Sequence, residues 1–178
     1  VGEDLLRQVL ATDALLQGEK PRGGWHYFID FAGPEATAKW YATIGKNAWR
    51  MEEFQHDWGN ATFDDMGTGE TMQLILRMAE IDKDPRYLAA ARRSVDFVLA
   101  SQYDNGGWPQ RWPQQNPYVH QGMADYTGYI TFNDDVARQN IEFLRLAYKL
   151  LGDPRIPDAI TRGMDIYVKT QQPAPQAG

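Results

Sequence analysis

The chain repeats itself at an offset of 69 residues, and this limits the folds open to it more than any other feature. Asp84-Pro85-Arg86 returns as Asp153-Pro154-Arg155. The same offset carries Thr62-Phe63 onto Thr131-Phe132, Asp65 onto Asp134, Ala90 onto Ala159, Arg93 onto Arg162, Asp96 onto Asp165 and Gln102 onto Gln171. A unit this long has room for two helices. In the second unit Val136, Asn140, Ile141, Leu144 and Tyr148 mark one face of a helix, and Phe143, Leu146 and Leu150 widen it, the pattern of a helix enclosed on much of its circumference. Gly152-Asp153-Pro154 then ends that helix and starts another, with Asp153 as N-cap and Pro154 in the first helical position. The next helix carries a narrower stripe of Ile156, Ala159, Ile160, Gly163, Met164 and Tyr167; its counterpart in the first unit carries Leu88, Ala91, Val95, Val98 and Leu99. A more apolar helix followed by an amphipathic one, repeated, predicts an all-α fold, an (α/α) toroid or part of one, with inner helices enclosed by outer ones.

The 178 residues suit one domain, 1–178, and the aromatic-rich stretch 23–60 reads as an insertion within it, with a short helix inside Ala36 to Phe54. A further helix, Asp4 to Gln17, reads as the outer helix of a preceding unit, because Gly23-Gly24-Trp25 follows it as Gly106-Gly107-Trp108 follows the later one. The net charge of −6 without any block of like charge argues against nucleic-acid or anionic-membrane partners. The chain has no cysteine, which excludes disulfides and thiolate metal sites. Its first residues lack the basic and apolar regions of a signal peptide, which leaves a mature chain, a cytoplasmic one or a piece of something longer as expectations, and its last, Pro-Ala-Pro-Gln-Ala-Gly, read as the middle of a loop.

Loops that follow outer helices and lead into inner ones gather at one end of such a barrel. Here both loops finish in acids: Asp64 and Asp65 in the first, Asn133, Asp134 and Asp135 in the second. One such acid is ordinarily an N-cap. Several brought together repel one another unless a hard cation binds them, which points to calcium or magnesium. The three histidines have no zinc spacing, and His26 reads as a hydrogen-bonded packing residue. The second loop also holds SQYDNGGWPQRWPQ, residues 101–114. Trp108 and Trp112 there either plug the barrel end or floor a binding surface, as do Tyr118, Tyr126 and Tyr129, which suit stacking on sugar rings. Arg111, between the two tryptophans, is either a bidentate grip for a substrate carboxylate or a solvated loop arginine.

QYDNGGWPQ followed by ITFNDD, and preceded by GGWHYFIDF and GNATFDD, resembles the catalytic domain of polysaccharide lyase family 10 pectate lyases, over most of the chain from about Gly23 onward. The resemblance implies an (α/α) toroid and calcium (Ca2+)-assisted β-elimination on polygalacturonate or its oligogalacturonides. It implies a secreted or periplasmic protein that is monomeric at full length. The family's TFND aspartate falls on Asp134, implied as a calcium ligand. A second family aspartate, opening a segment Asp-Asn-Gly-Ala-Thr, falls on Asp64 by counting back from NGGWPQ, while the repeat pairs Asp65 with Asp134; both stay candidates, with Asp135 beside them. Met66 and Gly67 depart from that segment, and the link from Pro113 to Ile130 is longer than the family carries. Arg111, Trp112, Asn133 and Trp108 are the candidate substrate contacts. The family's catalytic arginine belongs to a later segment than this chain contains, so the chain alone is expected to be inactive. Two other readings remain: a pectin- or uronate-binding domain of this fold without catalysis, and a triterpene-cyclase-like α/α barrel, from Gln102 to Trp108 as a Gln-x-x-x-Gly-x-Trp turn.

Overall fold

The computed structural model describes residues 15–16, 18, 23–27, 30–47, 59–82, 84–114 and 125–173. Among these are five helices: α1 (Pro34–Thr43), α2 (Gly67–Ile81), α3 (Pro85–Ser101), α4 (Val136–Leu151) and α5 (Ile156–Lys169). The α2–α3 and α4–α5 hairpins are the two copies of the repeat. α2 packs against both α3 and α4, and α4 packs against α3 and α5, so the inner and outer layers share one core.

The repeated Asp-Pro-Arg explains the hairpin turns. Before α3, Asp84 is the N-cap, accepting from the Arg86 N–H at 2.8 Å, with Pro85 as the first helical residue. The second copy differs slightly: Asp153 accepts from the Arg155 N–H at 3.0 Å, but α5 is counted from Ile156, so Asp153 closes the turn ahead of the helix instead of capping it. Gly152, with φ 63°, takes the left-handed conformation that ends α4 and donates its N–H to the Tyr148 carbonyl at 2.9 Å.

The core is built from Met72, Ile75, Leu76 and Ala79 of α2, Ala90, Ala91, Val95, Phe97 and Val98 of α3, Val136, Ala137, Phe143, Leu144 and Ala147 of α4, and Ile156 and Ala159 of α5. Each larger member contributes about 1.5–3 kcal/mol on burial. Not every expected stripe residue joins it. Leu146 and Tyr148 on α4 and Met164 and Tyr167 on α5 are exposed, because the faces they occupy point away from the neighbouring helices. The insertion helix α1 starts at Pro34, two residues before the expected stretch, and is followed by a 3₁₀ turn, Gly45–Asn47; the remainder of that stretch lies outside the described residues. Of the expected Asp4–Gln17 helix only Leu15 and Leu16 are described; both are helical and buried.

At one end of the hairpins three loop segments are stitched together. Strands β1 (Ala61–Thr62) and β2 (Arg111–Trp112) pair antiparallel, with Ala61 opposite Trp112 and Thr62 opposite Arg111. The Phe63 N–H donates to the Gln110 carbonyl at 2.8 Å, the Gln110 N–H to the Thr127 carbonyl at 2.9 Å and the Thr131 N–H to the Trp108 carbonyl at 2.9 Å. Trp25 adds a third seam: its carbonyl accepts from the Thr62 N–H at 2.9 Å and from the Thr68 hydroxyl at 2.9 Å. This stitching carries the starts of α2 and α4 to one place.

Candidate functional site

Both inner helices begin through the same unusual turn. Asp65 has φ 46°, ψ 32° and Asp134 has φ 49°, ψ 30°. The next residues, Met66 and Asp135, have φ 61° and 59°. Two consecutive left-handed, non-glycine residues are costly, and Asp tolerates that region better than most because its short polar side chain suits it. Neither N-cap, Met66 for α2 or Asp135 for α4, makes a side-chain capping bond. The acids are therefore not explained as helix caps.

The turns instead bring carboxylates together. One oxygen each from Asp64, Asp65 and Asp134 lies within 4.8 Å of the others, with Asp64 buried and the other two open to solvent. They line a pocket of about 330 Å³ together with Gln110, Tyr126, Thr131 and Asn133. Asp64 is 6% exposed; its Oδ2 accepts from the Tyr27 hydroxyl at 2.8 Å and from the Gln110 amide at 2.6 Å, while its buried Oδ1 has no hydrogen-bond partner. Crowding shows in Asp134, whose carboxyl is pushed up to about 6, first by the Asp64 carboxyl beside it, then by burial and by the charges of Asp64 and Asp65; the Asn133 amide works against this. Asn133 donates that bond to Asp134 Oδ2. The Asp134 backbone is held as well, its carbonyl accepting from the Gln139 amide at 3.0 Å.

Asp135, expected beside these ligands, stands outside the group. It accepts from Arg138 at 2.6 Å, and that guanidinium holds its carboxyl below the usual range. The aromatic loop takes the first of its two expected roles. Trp108 is fully buried, its indole N–H donating to the Val98 carbonyl at 3.0 Å and its ring edge lying where a Cβ on Gly163 would sit, 2.8 Å away. It plugs the barrel end. Trp112 is 9% exposed and packs edge-on against Phe97. Arg111 is 1% exposed, with Nη1 3.1 Å from His26 Nε2 and its guanidinium 5.5 Å over the Tyr27 ring. None of the three lines the acidic pocket: successive residues of β2 point to opposite faces, and both are covered, Arg111 by His26 and Tyr27 and Trp112 by Phe97. His26 is the buried packing residue expected, bonded also through Nδ1 to the Tyr41 hydroxyl. Tyr126 lines the pocket and Tyr129 is exposed outside it; Tyr118 lies outside the described residues.

Tyr27, Gln110 and Thr131 were not singled out from sequence, although each sits inside a quoted motif. The signal was there: Gln110 closes NGGWPQ, Thr131 opens TFND and Tyr27 lies in GGWHYFIDF.

A sequence profile of the pectic acid lyase family matches residues 19–175. This chain belongs to that family. Two solved structures share its fold: the family 10 polysaccharide lyase of Cellvibrio cellulosa, and an aspartate-to-alanine variant of a family 10 polysaccharide lyase from the same organism in complex with trigalacturonic acid. Each is 20% identical with a TM-score of 0.62, covering 94% of this chain and 50% of that one, so the chain spans about half the length of these lyases. A search of curated proteins finds no match. The (α/α) toroid expected from the repeat is thus the fold of the lyase family to which the chain belongs. Gln102, the residue behind the triterpene-cyclase reading, is used structurally, donating to the Gly106 and Ala159 carbonyls at 3.0 and 2.9 Å.

Proposed function

We propose that this chain carries the cation-binding part of a pectate lyase site, acting on polygalacturonate by calcium-assisted β-elimination. The observation that carries the reading is the group of three carboxylates, one buried with an unpartnered oxygen, at the junction of the two repeat units. The donor set fits a hard cation: every candidate ligand is an oxygen, no histidine or cysteine intrudes, and the mutual repulsion recorded at Asp134 is what such an ion relieves. Asp64, Asp65 and Asp134 would hold it. Bound calcium supplies charge neutralisation for a uronate carboxylate, which acidifies the hydrogen on the neighbouring C5.

The chain's own residues do the rest of the binding. Asn133, Thr131, Tyr126 and Gln110 rim the same pocket with hydroxyl and amide groups suited to sugar hydroxyls. In the elimination the C5 proton goes to a base, the C5–H electron pair forms the C4–C5 double bond, and the C4–O4 bond breaks to release the leaving sugar. Among the described residues no arginine lines the pocket, and the family resemblance puts the arginine base in a later segment than this chain contains. The 178-residue chain alone is therefore expected to yield no product. The polymer lies outside cells, which favours a secreted or periplasmic protein.

The test is ultraviolet absorbance of the unsaturated product from polygalacturonate. Release by the whole natural chain, abolished by chelator and restored by calcium, supports the lyase. Calcium-dependent binding of oligogalacturonate without release would favour a non-catalytic binding domain. Release by the 178-residue chain itself would overturn the assignment of the base.

A further inference from the structure

We infer that Tyr27 and Gln110 are positioning residues which clamp one oxygen of Asp64 so that the other faces the cation; this rests on the metal reading above. Both donors converge on Asp64 Oδ2, at 2.8 and 2.6 Å, from separate segments of the chain. Oδ1 receives neither and has no partner although it is buried. A carboxylate is symmetric, so free rotation would interchange its oxygens; two donors fixed on one of them remove that freedom and leave a single, oriented ligand atom. At Asp134, by contrast, the short contact to Oδ2 comes from its own neighbour, Asn133.

The clamp is itself braced. Gln110 is tied on both sides of its backbone, its carbonyl accepting from Phe63 at 2.8 Å and its N–H donating to Thr127 at 2.9 Å. Tyr27 lies beneath the buried Arg111 guanidinium at 5.5 Å, and Arg111 in turn meets His26, which meets Tyr41. A positive charge thus sits over the face of the ring whose hydroxyl donates to Asp64, a placement suited to steadying a donor that serves an anion. Burial holds the Tyr27 hydroxyl well above the ordinary tyrosine range, against the opposing pull of Arg111, so it remains a donor. The buried arginine thus braces the tyrosine that holds the ligand.

The experiment titrates calcium alone into the whole natural chain by calorimetry, comparing the natural sequence with Tyr27→Phe, Gln110→Met and Asp64→Asn. The first two substitutions delete one donor each and keep the side-chain volume. Calcium affinity is expected to fall about tenfold or more for each, the range typical of partners that orient a metal ligand. It is expected to fall further for Asp64→Asn. A merely structural loss would lower the melting temperature in chelator but leave the affinity of the folded protein unmoved. Affinities within twofold of the natural chain for Tyr27→Phe and Gln110→Met, with Asp64→Asn crippled, would overturn the clamp and leave the metal reading standing. Natural affinity in Asp64→Asn, or no calcium binding at all, would overturn the metal reading and the clamp with it. If Tyr27→Phe fails to fold, Gln110→Met, at the rim of the pocket, decides alone.

Discussion

The two turns that start α2 and α4 have nearly one backbone and very different surroundings. From Phe63 to Gly67 and from Phe132 to Val136 the chain passes through the same conformations, including the left-handed pair in the middle. Yet Asp64 is 6% exposed and held by Tyr27 and Gln110, whereas its counterpart Asn133 is exposed and bonds to the next residue. Two residues into α2, Gly69 admits a side chain from α4; its counterpart Arg138 lies in solvent, paired with Asp135 and Glu142. The repeat supplied two copies of a turn. What covers each copy decides that one presents a buried carboxylate and the other an exposed one, and a cation site needs both: the first for a fixed charge, the second for access.

The largest effect is expected from making the first turn resemble the second. Asp64→Asn keeps the side-chain shape and removes the buried charge, and should weaken calcium binding by more than about a hundredfold, beyond the usual cost of removing an orienting partner. Asp134 loses the neighbour that chiefly raises it and should titrate back toward the ordinary carboxylate range, read by NMR. The reverse change, Asn133→Asp, adds an exposed charge and removes the amide that holds Asp134 down, so Asp134 should titrate higher still. Its effect on calcium affinity should be only about fewfold, as for other exposed charges. Equal effects of the two substitutions would break the distinction between the turns.

Next in size is Gly69→Ala. A Cβ there would lie 2.1 Å from Gln139 Oε1, and Gln139 is buried between the helices while its amide holds the Asp134 carbonyl. Overpacking of this kind costs about 1–3 kcal/mol, readable as a lower denaturant midpoint. Because the displaced side chain is the one that fixes the Asp134 turn, calcium affinity should fall too. A stability loss with unchanged affinity would show that Gln139 merely fills space.

The fold was legible in sequence because its signals are local and duplicated: Asp-Pro-Arg turns, apolar stripes and the offset of 69 residues all bear on the same hairpins. The meeting of Asp64, Asp65 and Asp134 was legible too, since a turn repeated at one end of a barrel gathers what it carries. Asp135, though adjacent in sequence, stands apart from them and pairs with Arg138 one turn along α4. The burial of Arg111 and Trp112 was not legible, for a different reason. Two-residue strands set which way side chains point, and no periodicity announces a strand so short. The clamp on Asp64 joins residues 27, 64 and 110, separations at which a single sequence gives no contact information.

A smaller effect follows from pH in the metal-free protein. The folded chain raises Asp134 from 3.8 to about 6, so between those values the folded state keeps a proton that the unfolded state has lost. The contribution is fully present below 3.8 and is lost as pH rises through about 6. Melting in chelator should therefore drop across this window, and the gain from added calcium should grow across it, since the cation competes with that proton. Partial exposure of the site will mute the size of both changes. With Asp64→Asn the slope should largely vanish; a slope that survives belongs to another group.

The smallest expected effect tests the backbone that the two turns share. Met66 and Asp135 are equivalent and both left-handed, with φ 61° and 59°, but only Asp has a side chain suited to that region. The family segment that aligns here has glycine in the place of Met66, the residue that adopts this conformation without steric cost. Met66→Gly should relieve strain and raise stability by about 1 kcal/mol or less, part of the gain being offset by the greater freedom of glycine in the unfolded chain. Asp135→Gly should bring no such gain, since it removes the bond to Arg138 and relieves a residue that already tolerates the turn. Chemical denaturation of the two variants separates these outcomes. If both are destabilised alike, the left-handed pair is no strain on the first turn, and Met66 is held there by contacts that outweigh its backbone preference.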